Sequence, residues 1–442
     1  MKNIDFGNYL YELRKQNNLT QRYVAYQLNV TDKAVSKWET SKSTPDLDKL
    51  KSLATLYNVS LEELLEYQQK KNVEISKIVL TGGPCAGKTT ALSWIHNYFS
   101  ERGYTVLTVP ETATELITSG VAPWTCGTNY DYQTLQIKLQ KFKEEIYENA
   151  ANTMNGKILI VCDRGVMDNK AYIDDLSFKR ILKELGTNEV KERDSYDAIF
   201  HLVTAAKGKE ECYTLENNKA RKDTLQEARE LDDKLISYWT GHPHFRIIDN
   251  STEFEEKLER LLKEIASFLG EPEPLEIERK FLIYYPDLKE LESMPNCTKV
   301  DNTQTYLKSE DDTERRVRAR GIDGNYIYYL TEKKTINGMK RIETERRLTQ
   351  DEYLKLLMEA DNSLHTIHKT RYCISDNNQY YEIDIYPEWD KQAIMEIELS
   401  SEDQEIKIPK FIKTIKEVTD NERYKNHQMA KEMPKMLVKR KN

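Results

Sequence analysis

Charged residues spaced by two are the feature of this sequence that most directly suggests chemistry. Glu276, Glu278 and Lys280 would lie on one face of a β-strand, because side chains alternate between the two faces of a strand. The same spacing recurs downstream at Arg316, Arg318 and Arg320, at Glu343 and Glu345, at Lys369 and Arg371, at Glu382 and Asp384, and at Glu396 and Glu398. Such strands, with both signs of charge, suggest a closed barrel lined with ions. This lining is very costly unless water, metal or a polyanion fills the space, so the region is predicted to bind phosphate.

The mixture of charges suits one type of ligand. Cationic side chains would neutralise a triphosphate, while carboxylates would bind Mg²⁺ or Mn²⁺ through oxygen and the metal would polarise the phosphoryl groups. Cross-strand ion pairing on a solvent-exposed face is the alternative interpretation. Binding of a polyphosphate without hydrolysis is also compatible with this pattern of charges.

A second phosphate-binding motif lies in the middle of the sequence. The run GGPCAGKT satisfies the P-loop pattern G-x-x-x-x-G-K-T between an apolar strand and a predicted helix. Lys88 would bridge the terminal phosphates of a nucleotide, and the Thr89 hydroxyl would coordinate Mg²⁺. The residues predicted to bind ATP or GTP here are Gly82, Gly83, Pro84, Cys85, Ala86, Gly87, Lys88, Thr89 and Thr90. A glycine turn with an incidental lysine is the alternative interpretation.

Three further residues are candidates for the nucleotide site. Asp163 ends the apolar strand 158–162, as a magnesium-binding Walker-B aspartate should, and Glu111 follows another strand where a substrate-side acid is expected. Arg221 lies in a basic segment that could close over the phosphates. A helix cap, a surface acid and a solvated cation are the alternative interpretations of these three residues. No guanine-reading N-K-x-D motif is found on a suitable loop, so ATP and GTP both stay open.

The first 70 residues have the pattern of short helices separated by polar turns. One helix opens at Leu19-Thr20-Gln21, and Thr31 is a suitable N-cap for a second helix after a short turn. The apolar residues assigned to one small core are Leu13, Val24, Leu28, Val30, Val35, Trp38, Leu50, Leu53 and Leu56. A helix-turn-helix of this kind places its second helix in the major groove of DNA. A small helical bundle that contacts proteins is the alternative.

The 442 residues are too many for one hydrophobic core, and breaks in the pattern divide them into three predicted domains. Residues 1–70 form the all-α helix-turn-helix bundle. Residues 75–270 alternate apolar strands with amphipathic helices, which predicts an α/β domain with a mostly parallel sheet. Residues 274–442 follow an acidic, proline-containing linker and are rich in alternating strands, which predicts an antiparallel β domain.

Composition excludes several classes of protein. Charged residues make up 32% and apolar residues 38% of the chain, which is typical of a soluble globular protein. The net charge of −8 argues against wholesale coating of nucleic acid. No apolar run approaches the ~20 residues that span a bilayer. The six cysteines are scattered without a C-x-x-C pair, which favours a reduced cytosol, so we predict a cytoplasmic protein without a membrane span.

The N-terminal segment resembles the Cro/C1-type (XRE) DNA-binding family over residues 6–66, most specifically in the run VSKWE. The residues that this resemblance would place against double-stranded DNA are Gln21, Asp32, Lys33, Ser36 and Lys37, with Lys42 near a phosphate. A single motif binds weakly, so the resemblance implies a homodimer or higher oligomer that contacts two half-sites.

Residues 77–250 resemble the small P-loop kinase-like ATPases of the NadR-kinase and AAA_28 group, in the runs GGPCAGKTT, PETA, CDRG and IIDN. The resemblance does not identify a phosphoryl acceptor.

The segment from Leu275 to about Asn426 resembles the CYTH, or triphosphate tunnel, superfamily, in the run Glu276-x-Glu278-x-Lys280. Members of that superfamily close eight antiparallel strands into a tunnel. The resemblance implies that phosphate oxygens are bound by Arg316, Arg318, Lys333, Lys369 and Arg371. It implies metal ligands at Glu276, Glu278, Glu396 and Glu398, supported by Glu343, Glu345, Glu382 and Asp384. Lys280 would contact phosphate or orient an attacking water.

Three anion-binding segments in one chain predict a transcriptional regulator that responds to a nucleotide and to a triphosphate or polyphosphate. Hydrolysis of the nucleoside triphosphate is expected to accompany binding. The alternative is a metal-dependent phosphotransferase or triphosphatase with an autoregulatory helix-turn-helix, in which Lys88, Asp163, Glu111 and Lys280 are the catalytic residues. A third hypothesis is an assembly or defence protein that binds both phosphate ligands without turnover.

Overall fold

The computed structural model describes residues 6–40, 43–69, 73–213, 224–271, 277–309, 313–337, 340–399 and 404–437. The chain divides into two compact units, residues 1–75 with 148–158 and residues 76–147 with 159–442. In the described part of the chain, no helix combines the length and the apolar character needed to cross a bilayer.

Helices make up the N-terminal segment. They are α1 (Phe6–Gln16), α2 (Gln21–Gln27), α3 (Asp32–Glu39), α4 (Leu47–Tyr57) and α5 (Leu61–Gln69). The side chains of Thr20, Thr31 and Asp46 accept backbone N–H groups in the first turns of α2, α3 and α4. These caps satisfy donors that a helix start otherwise leaves unpaired. Val24 and Val35 are buried in the common core, so the predicted helix-turn-helix is confirmed.

Strands and helices alternate in the next segment, which we call the α/β domain. Its elements are β1 (Val73–Gly82), α6 (Lys88–Ser100), β2 (Tyr104–Val109), α7 (Thr112–Thr118), α8 (Asn129–Asn152), β3 (Gly156–Asp163), α9 (Asp175–Glu184), α10 (Glu189–Arg193), β4 (Ala198–Leu202), α11 (Leu225–Trp239), β5 (Phe245–Ile248) and α12 (Phe254–Phe268). The strand order is β2-β3-β1-β4-β5, and β4 pairs in parallel with both β1 and β5. All of β4 is buried, which explains why it is a continuous apolar run except for His201.

The remaining elements form the β domain. They are β6 (Ile277–Tyr284), α13 (Leu288–Ser293), β7 (Cys297–Leu307), β8 (Thr313–Ile322), β9 (Asn325–Asn337), β10 (Lys340–Leu348), α14 (Gln350–Leu357), β11 (Ile367–Asp376), β12 (Gln379–Ile385), β13 (Gln392–Leu399), β14 (Thr414–Glu417) and α15 (Asn426–Lys431). The antiparallel sheet has the order β10-β9-β8-β7-β11-β12-β13-β6-β14. Within the described residues it has nine strands, one more than the predicted eight, because the short β14 pairs with β6. Glu278 of β6 and Glu345 of β10 line one cavity although their strands are far apart in this order, so the sheet curves around on itself.

Candidate functional site

The P-loop connects the carboxyl end of β1 to the start of α6. Gly87 has a φ of 91°, a left-handed backbone conformation that favours glycine, and a Cβ at this position would lie 2.4 Å from a ring carbon of Phe254 unless that ring moved. Lys88 is buried, and its Nζ donates to the carbonyl oxygens of Gly82 at 3.0 Å and Gly83 at 3.3 Å. Thr89 and Thr90 are exposed at the start of the helix. Backbone N–H groups at a helix start, together with a lysine, form a suitable cradle for phosphate.

Asp232 of α11 supports this loop, although it was not among the predicted site residues. Its Oδ1 accepts the backbone N–H of Gly83 at 3.0 Å, and His201 Nε2 lies 3.0 Å from the same oxygen. Lys207 donates to Oδ2 at 2.9 Å. Burial raises the pKa of the Asp232 carboxyl, but His201 and Lys207 hold it well below its ordinary value. The sequence signal was an acid on the apolar face of a helix, which is weak without the fold.

Asp163 lies at the end of β3, close enough to Lys88 for the two charges to interact. Its Oδ1 is buried and has no hydrogen-bond partner among the described residues. Burial raises the pKa of this carboxyl, and the neighbouring Glu111 adds to the effect while Lys88 opposes it. A buried oxygen without a partner beside a P-loop fits the magnesium that the motif implies.

Glu111 is held by an arginine that the sequence predictions did not include. Arg164 Nε donates to Glu111 Oε1 at 2.5 Å, and Thr114 donates to the other oxygen at 2.5 Å. Burial raises the pKa of the Glu111 carboxyl, but Arg164, Thr114 and Lys88 have the larger, opposite effect and bring the pKa down to about 2. Glu111 is therefore a carboxylate at neutral pH and can accept a hydrogen bond, but it would be a weak base.

The predicted basic lid is only partly within the described residues. Arg221 lies outside them. Arg229 of the same basic segment lies in α11 and donates to the carbonyl oxygen of Ala206 at 2.6 Å and to Glu210 at 2.7 Å. Arg229 therefore supports the loop after β4.

A charged cavity of about 490 Å³ lies inside the curved sheet of the β domain. The predicted tunnel residues that line it are Glu278, Lys280, Arg316, Arg318, Lys333, Glu345, Lys369, Arg371, Glu382, Glu396 and Glu398, whereas the predicted Asp384 is fully buried and does not line it. The predicted metal ligand Glu276 and the side chain of Glu343 lie outside the described part of the structure. Asn302, Gln304 and Tyr306 of β7 also line the cavity, and the sequence predictions missed them because they carry no charge.

Strand register explains why the cations and acids of the charged cavity meet. Lys280 lies opposite Glu396 in the β6–β13 pair, and its Nζ lies 2.7 Å from both Glu396 and Glu278. Burial raises the pKa of Glu278, and the nearby Glu396 raises it further, to about 7, although Lys280 lowers it. Burial also raises the pKa of the Glu396 carboxyl, but Lys280, Lys369 and Arg371 hold it well below its ordinary value. The cavity therefore keeps one acid ionised and raises the pKa of its neighbour.

Arg371 bonds several carboxylates of the charged cavity at once. Its guanidinium bonds Asp384 through Nε and Nη2, both at 2.6 Å, and bonds Glu396 through Nη2 at 2.7 Å. It also pairs with Glu382, and Lys369 pairs with Asp384. These contacts compensate charges that would otherwise be buried alone.

The opposite wall of the charged cavity has a simpler arrangement. Arg318 Nη2 donates to both oxygens of Glu345, at 3.0 and 2.9 Å, and the Thr331 hydroxyl donates to Glu345 Oε2 at 3.0 Å. Arg318 Nε is buried and has no hydrogen-bond partner among the described residues. Lys333 of β9 also lies in the lining, as predicted.

Oxygen donors suitable for a hard metal ion lie on β6 and β13. Glu278 and Glu398 are directly opposite each other in the strand register, and their side chains are 31% and 34% exposed. Carboxylate oxygens of this kind are the ligands that Mg²⁺ and Mn²⁺ prefer. Among the described residues, no group of three acids, histidines or cysteines is close enough to hold a metal. Glu278 and Glu398 thus fit part of a metal site.

The candidate DNA-contacting helix is α3. Asp32, Lys33 and Lys37 lie on it, where Asp32 and Lys33 are exposed, and Ser36 also belongs to this helix. Gln21 starts α2, and its side chain donates to Glu39 at 2.8 Å. The predicted phosphate contact Lys42 lies outside the described residues.

Comparison with known proteins identifies the first two segments. Residues 10–64 match the HTH_3 family model, described as helix-turn-helix, and residues 77–257 match the AAA_28 family model, described as an AAA domain. The HTH-type transcriptional activator BcrR of Enterococcus faecalis is 38% identical over 66 residues, which are 15% of this chain and 32% of BcrR. The chain thus spans about a third of the length of this curated relative.

Solved structures similar to part of the chain include two of NE1496. The structure described as hypothetical protein NE1496 is 29% identical, covers 36% of this chain and 100% of its own, and has a TM-score of 0.27. The structure described as inorganic triphosphatase NE1496 is 27% identical, covers 36% and 97%, and has a TM-score of 0.26. From the two family models, residues 10–64 of the chain carry a helix-turn-helix domain and residues 77–257 carry an AAA domain.

Proposed function

We propose that this protein is a DNA-binding transcriptional regulator whose operator affinity responds to ATP or GTP and to a triphosphate or polyphosphate. The observation that carries the proposal is the surface of α3, which presents Asp32 and Lys33 to solvent while Val35 and Trp38 are buried. A helix anchored in this way can enter a major groove without losing its core. We further propose that a homodimer or higher oligomer binds two half-sites in the cytoplasm.

DNA binding through α3 predicts a specific salt dependence. In Lys33→Ala and in Lys37→Ala, operator affinity should fall, and the slope of log affinity against log salt should decrease by about one for each phosphate that is no longer neutralised. Fluorescence anisotropy with an operator selected from random-sequence DNA would measure both quantities. Lys51→Ala is the control, because Lys51 is an exposed lysine of α4 that pairs with Asp48 at 3.6 Å. An unchanged salt slope in both α3 variants would contradict the prediction.

The P-loop is proposed to bind the nucleotide with Mg²⁺. Lys88 would contact the terminal phosphates, while Thr89 and Asp163 would hold the metal. The bound metal would neutralise phosphate charge. In this proposal Lys88 exchanges its present carbonyl acceptors, Gly82 and Gly83, for phosphate oxygens.

Lys88→Ala should weaken ATP binding roughly 100-fold or more, because the substitution removes a charge-assisted hydrogen bond to phosphate. Isothermal titration with Mg-ATP and Mg-GTP would measure this change and would also identify the preferred base. Lys179→Ala is a suitable control, since Lys179 forms an exposed ion pair with Asp175 on α9. Full ATP affinity in Lys88→Ala would exclude the P-loop as the nucleotide site.

The charged cavity is proposed to bind a triphosphate or polyphosphate. The residues that would contact phosphate are Lys280, Arg316, Arg318, Lys333, Lys369 and Arg371. The residues that would coordinate the metal are Glu278, Glu396 and Glu398, together with Glu276. Four of these cations, Lys280, Arg318, Lys369 and Arg371, now pair with carboxylates of the protein. On binding, the polyanion could pair with the cations while Mg²⁺ or Mn²⁺ pairs with the carboxylates, so that the buried charges stay compensated.

The decisive experiment measures the affinity of the protein for its operator at fixed salt, first without ligand and then with ATP, GTP or tripolyphosphate, each added with Mg²⁺. The proposal expects at least one ligand to change the affinity, and Lys88→Ala or Arg371→Ala to remove the corresponding response. An affinity that none of the three ligands changes would overturn the regulatory proposal.

An enzymatic function is the second candidate. It is supported by Lys280, which lies 2.7 Å from both Glu278 and Glu396 where it could orient a water against a phosphoryl group. Phosphate release from ATP or from tripolyphosphate should then vanish in Lys88→Ala or in Lys280→Ala, respectively. Release that survives both substitutions would exclude this candidate.

A further inference from the structure

The α/β domain and the β domain share a built interface within the second unit. Arg320 of β8 is buried, and its guanidinium lies 3.2 Å from the buried Asp194 that follows α10. Arg347 of β10 donates to the carbonyl oxygen of Ser195 at 2.6 Å. Tyr380 of β12 donates to the carbonyl oxygen of His242 at 3.0 Å. Polar contacts on three strands fix the two domains against each other.

This interface places β5 of the α/β domain in the wall of the charged cavity. Residues 243–248 and Glu264 of α12 line the cavity together with the strands of the β domain. His244 Nε2 lies 3.7 Å from Glu345, the acid that also pairs with Arg318. The cavity is therefore not made by the β domain alone.

Arg246 is the cation that β5 contributes. Its guanidinium pairs with Glu398 of β13 and lies 3.4 Å from the buried Glu264 of α12. Glu264 belongs to the same domain as Arg246, and this contact orients the Arg246 side chain toward the cavity. The Arg246 side chain is 26% exposed, so its guanidinium is accessible to a ligand in the cavity.

Arg246 contacts β13 at a different position from the other cations. Lys280 and Arg371 both contact Glu396, while Arg246 contacts Glu398, two residues further along the strand. Two strand residues correspond to a rise of about 6–7 Å. A chain of three phosphates can contact cations at both points, whereas a shorter phosphate makes fewer of these contacts.

We propose that Arg246 is a phosphate-binding residue of the charged cavity, supplied by the α/β domain, and that it selects triphosphates over shorter phosphates. This inference rests on the proposed binding of a polyphosphate in the cavity. On binding, the guanidinium moves its hydrogen bonds from Glu398 to a terminal phosphate, for which its planar fork is well suited. Glu264 keeps it oriented during the exchange.

The test is isothermal titration of the full chain with tripolyphosphate and with pyrophosphate, at fixed salt and in EDTA so that metal binding at Glu398 plays no part. In Arg246→Gln, affinity for tripolyphosphate should fall about tenfold or more, with a smaller change for pyrophosphate. Arg246→Lys should retain part of the affinity, because it keeps the charge but loses the planar fork. Arg260→Gln is the matched control, since Arg260 of the same domain pairs with Asp249 at 2.9 Å and does not line the cavity.

A double variant separates direct contact from simple masking of Glu398. If Arg246 binds phosphate, Arg246→Gln with Glu398→Gln should stay weak; restored affinity would overturn the proposal. Wild-type affinity in Arg246→Gln would also overturn it, provided that Arg371→Ala abolishes binding. If wild-type protein binds tripolyphosphate neither in EDTA nor with Mg²⁺, the proposed function of the cavity fails, and this inference fails with it; binding only with Mg²⁺ would move the same comparison of variants to Mg²⁺ buffer.

Discussion

Arg371→Ala is expected to abolish tripolyphosphate binding and to lower the free energy of unfolding by about 3–5 kcal/mol. The guanidinium bonds Asp384, Glu396 and Glu382, so its removal leaves these three carboxylates with only Lys369 and Lys280 to compensate them. Breaking a buried ion pair by removing one partner costs this much because the other charge is left uncompensated. Affinity should fall roughly 100-fold or more, since the added negative field repels the ligand.

Urea denaturation and isothermal titration would measure the two effects separately. Arg279→Ala is the matched control, because Arg279 lies on β6 but pairs outside the cavity with Glu417, at 37% and 40% exposure. An exposed pair of this kind contributes about 0–1 kcal/mol, and no loss of affinity is expected. Equal effects of the two substitutions would contradict the role assigned to the cavity.

Asp194→Asn is expected to be the most damaging single change at the interface between the α/β and β domains. Asp194 is buried and pairs with Arg193 at 2.7 Å and with Arg320 at 3.2 Å, so the amide leaves two buried guanidinium groups without their counter-ion. We expect a loss of about 3–5 kcal/mol in the free energy of unfolding. Arg320→Met should lower the free energy of unfolding by a smaller amount, because Asp194 would still pair with Arg193.

A double-mutant cycle would test this arrangement. Asp194→Asn combined with Arg320→Met should destabilise the protein by less than the sum of the single changes, because the two residues contact each other. Arg315→Met is the control on the same strand, since Arg315 pairs with the more exposed Glu332. Strict additivity would show that the Arg320 pair contributes nothing to the interface.

Lowering the pH should remove the contribution of Asp194 to the stability of the fold. Burial raises the pKa of Asp194, but Arg193 and Arg320 lower it more, to about 2, from an ordinary value of 3.8. Its contribution is therefore complete above about pH 4 and is lost as the pH falls through about 2. The stability difference between wild type and Asp194→Asn should shrink by about 2 kcal/mol over this range, as measured by urea denaturation at each pH.

Local patterns predicted most of the architecture. The helix-turn-helix, the parallel sheet and the antiparallel sheet could each be predicted because caps, apolar periodicity and turn residues act over a few positions. The P-loop was predictable for the same reason, since its glycines, lysine and threonine are contiguous. The alternation at Glu278 and Lys280 also predicted which face of β6 carries charge.

Contacts between distant segments could not be predicted in this way. Asp232 reaches the P-loop across 149 residues of sequence, and Arg246 meets Glu398 across 152. Nothing in the local pattern of either residue distinguishes it from an ordinary acid or base on a helix or strand. The extra strand β14 was missed because it is four residues long and lacks an apolar repeat.

The sequence by itself determined which residues are candidates for chemistry, namely the P-loop motif, the charged residues at alternate strand positions and a helix with an exposed polar face. Residue type and short spacing carry that information. Only the tertiary structure decided which charges compensate one another and that β5 of the α/β domain forms part of the cavity wall. Those facts depend on strand register and on the packing of two domains, which bring together residues that lie far apart along the chain.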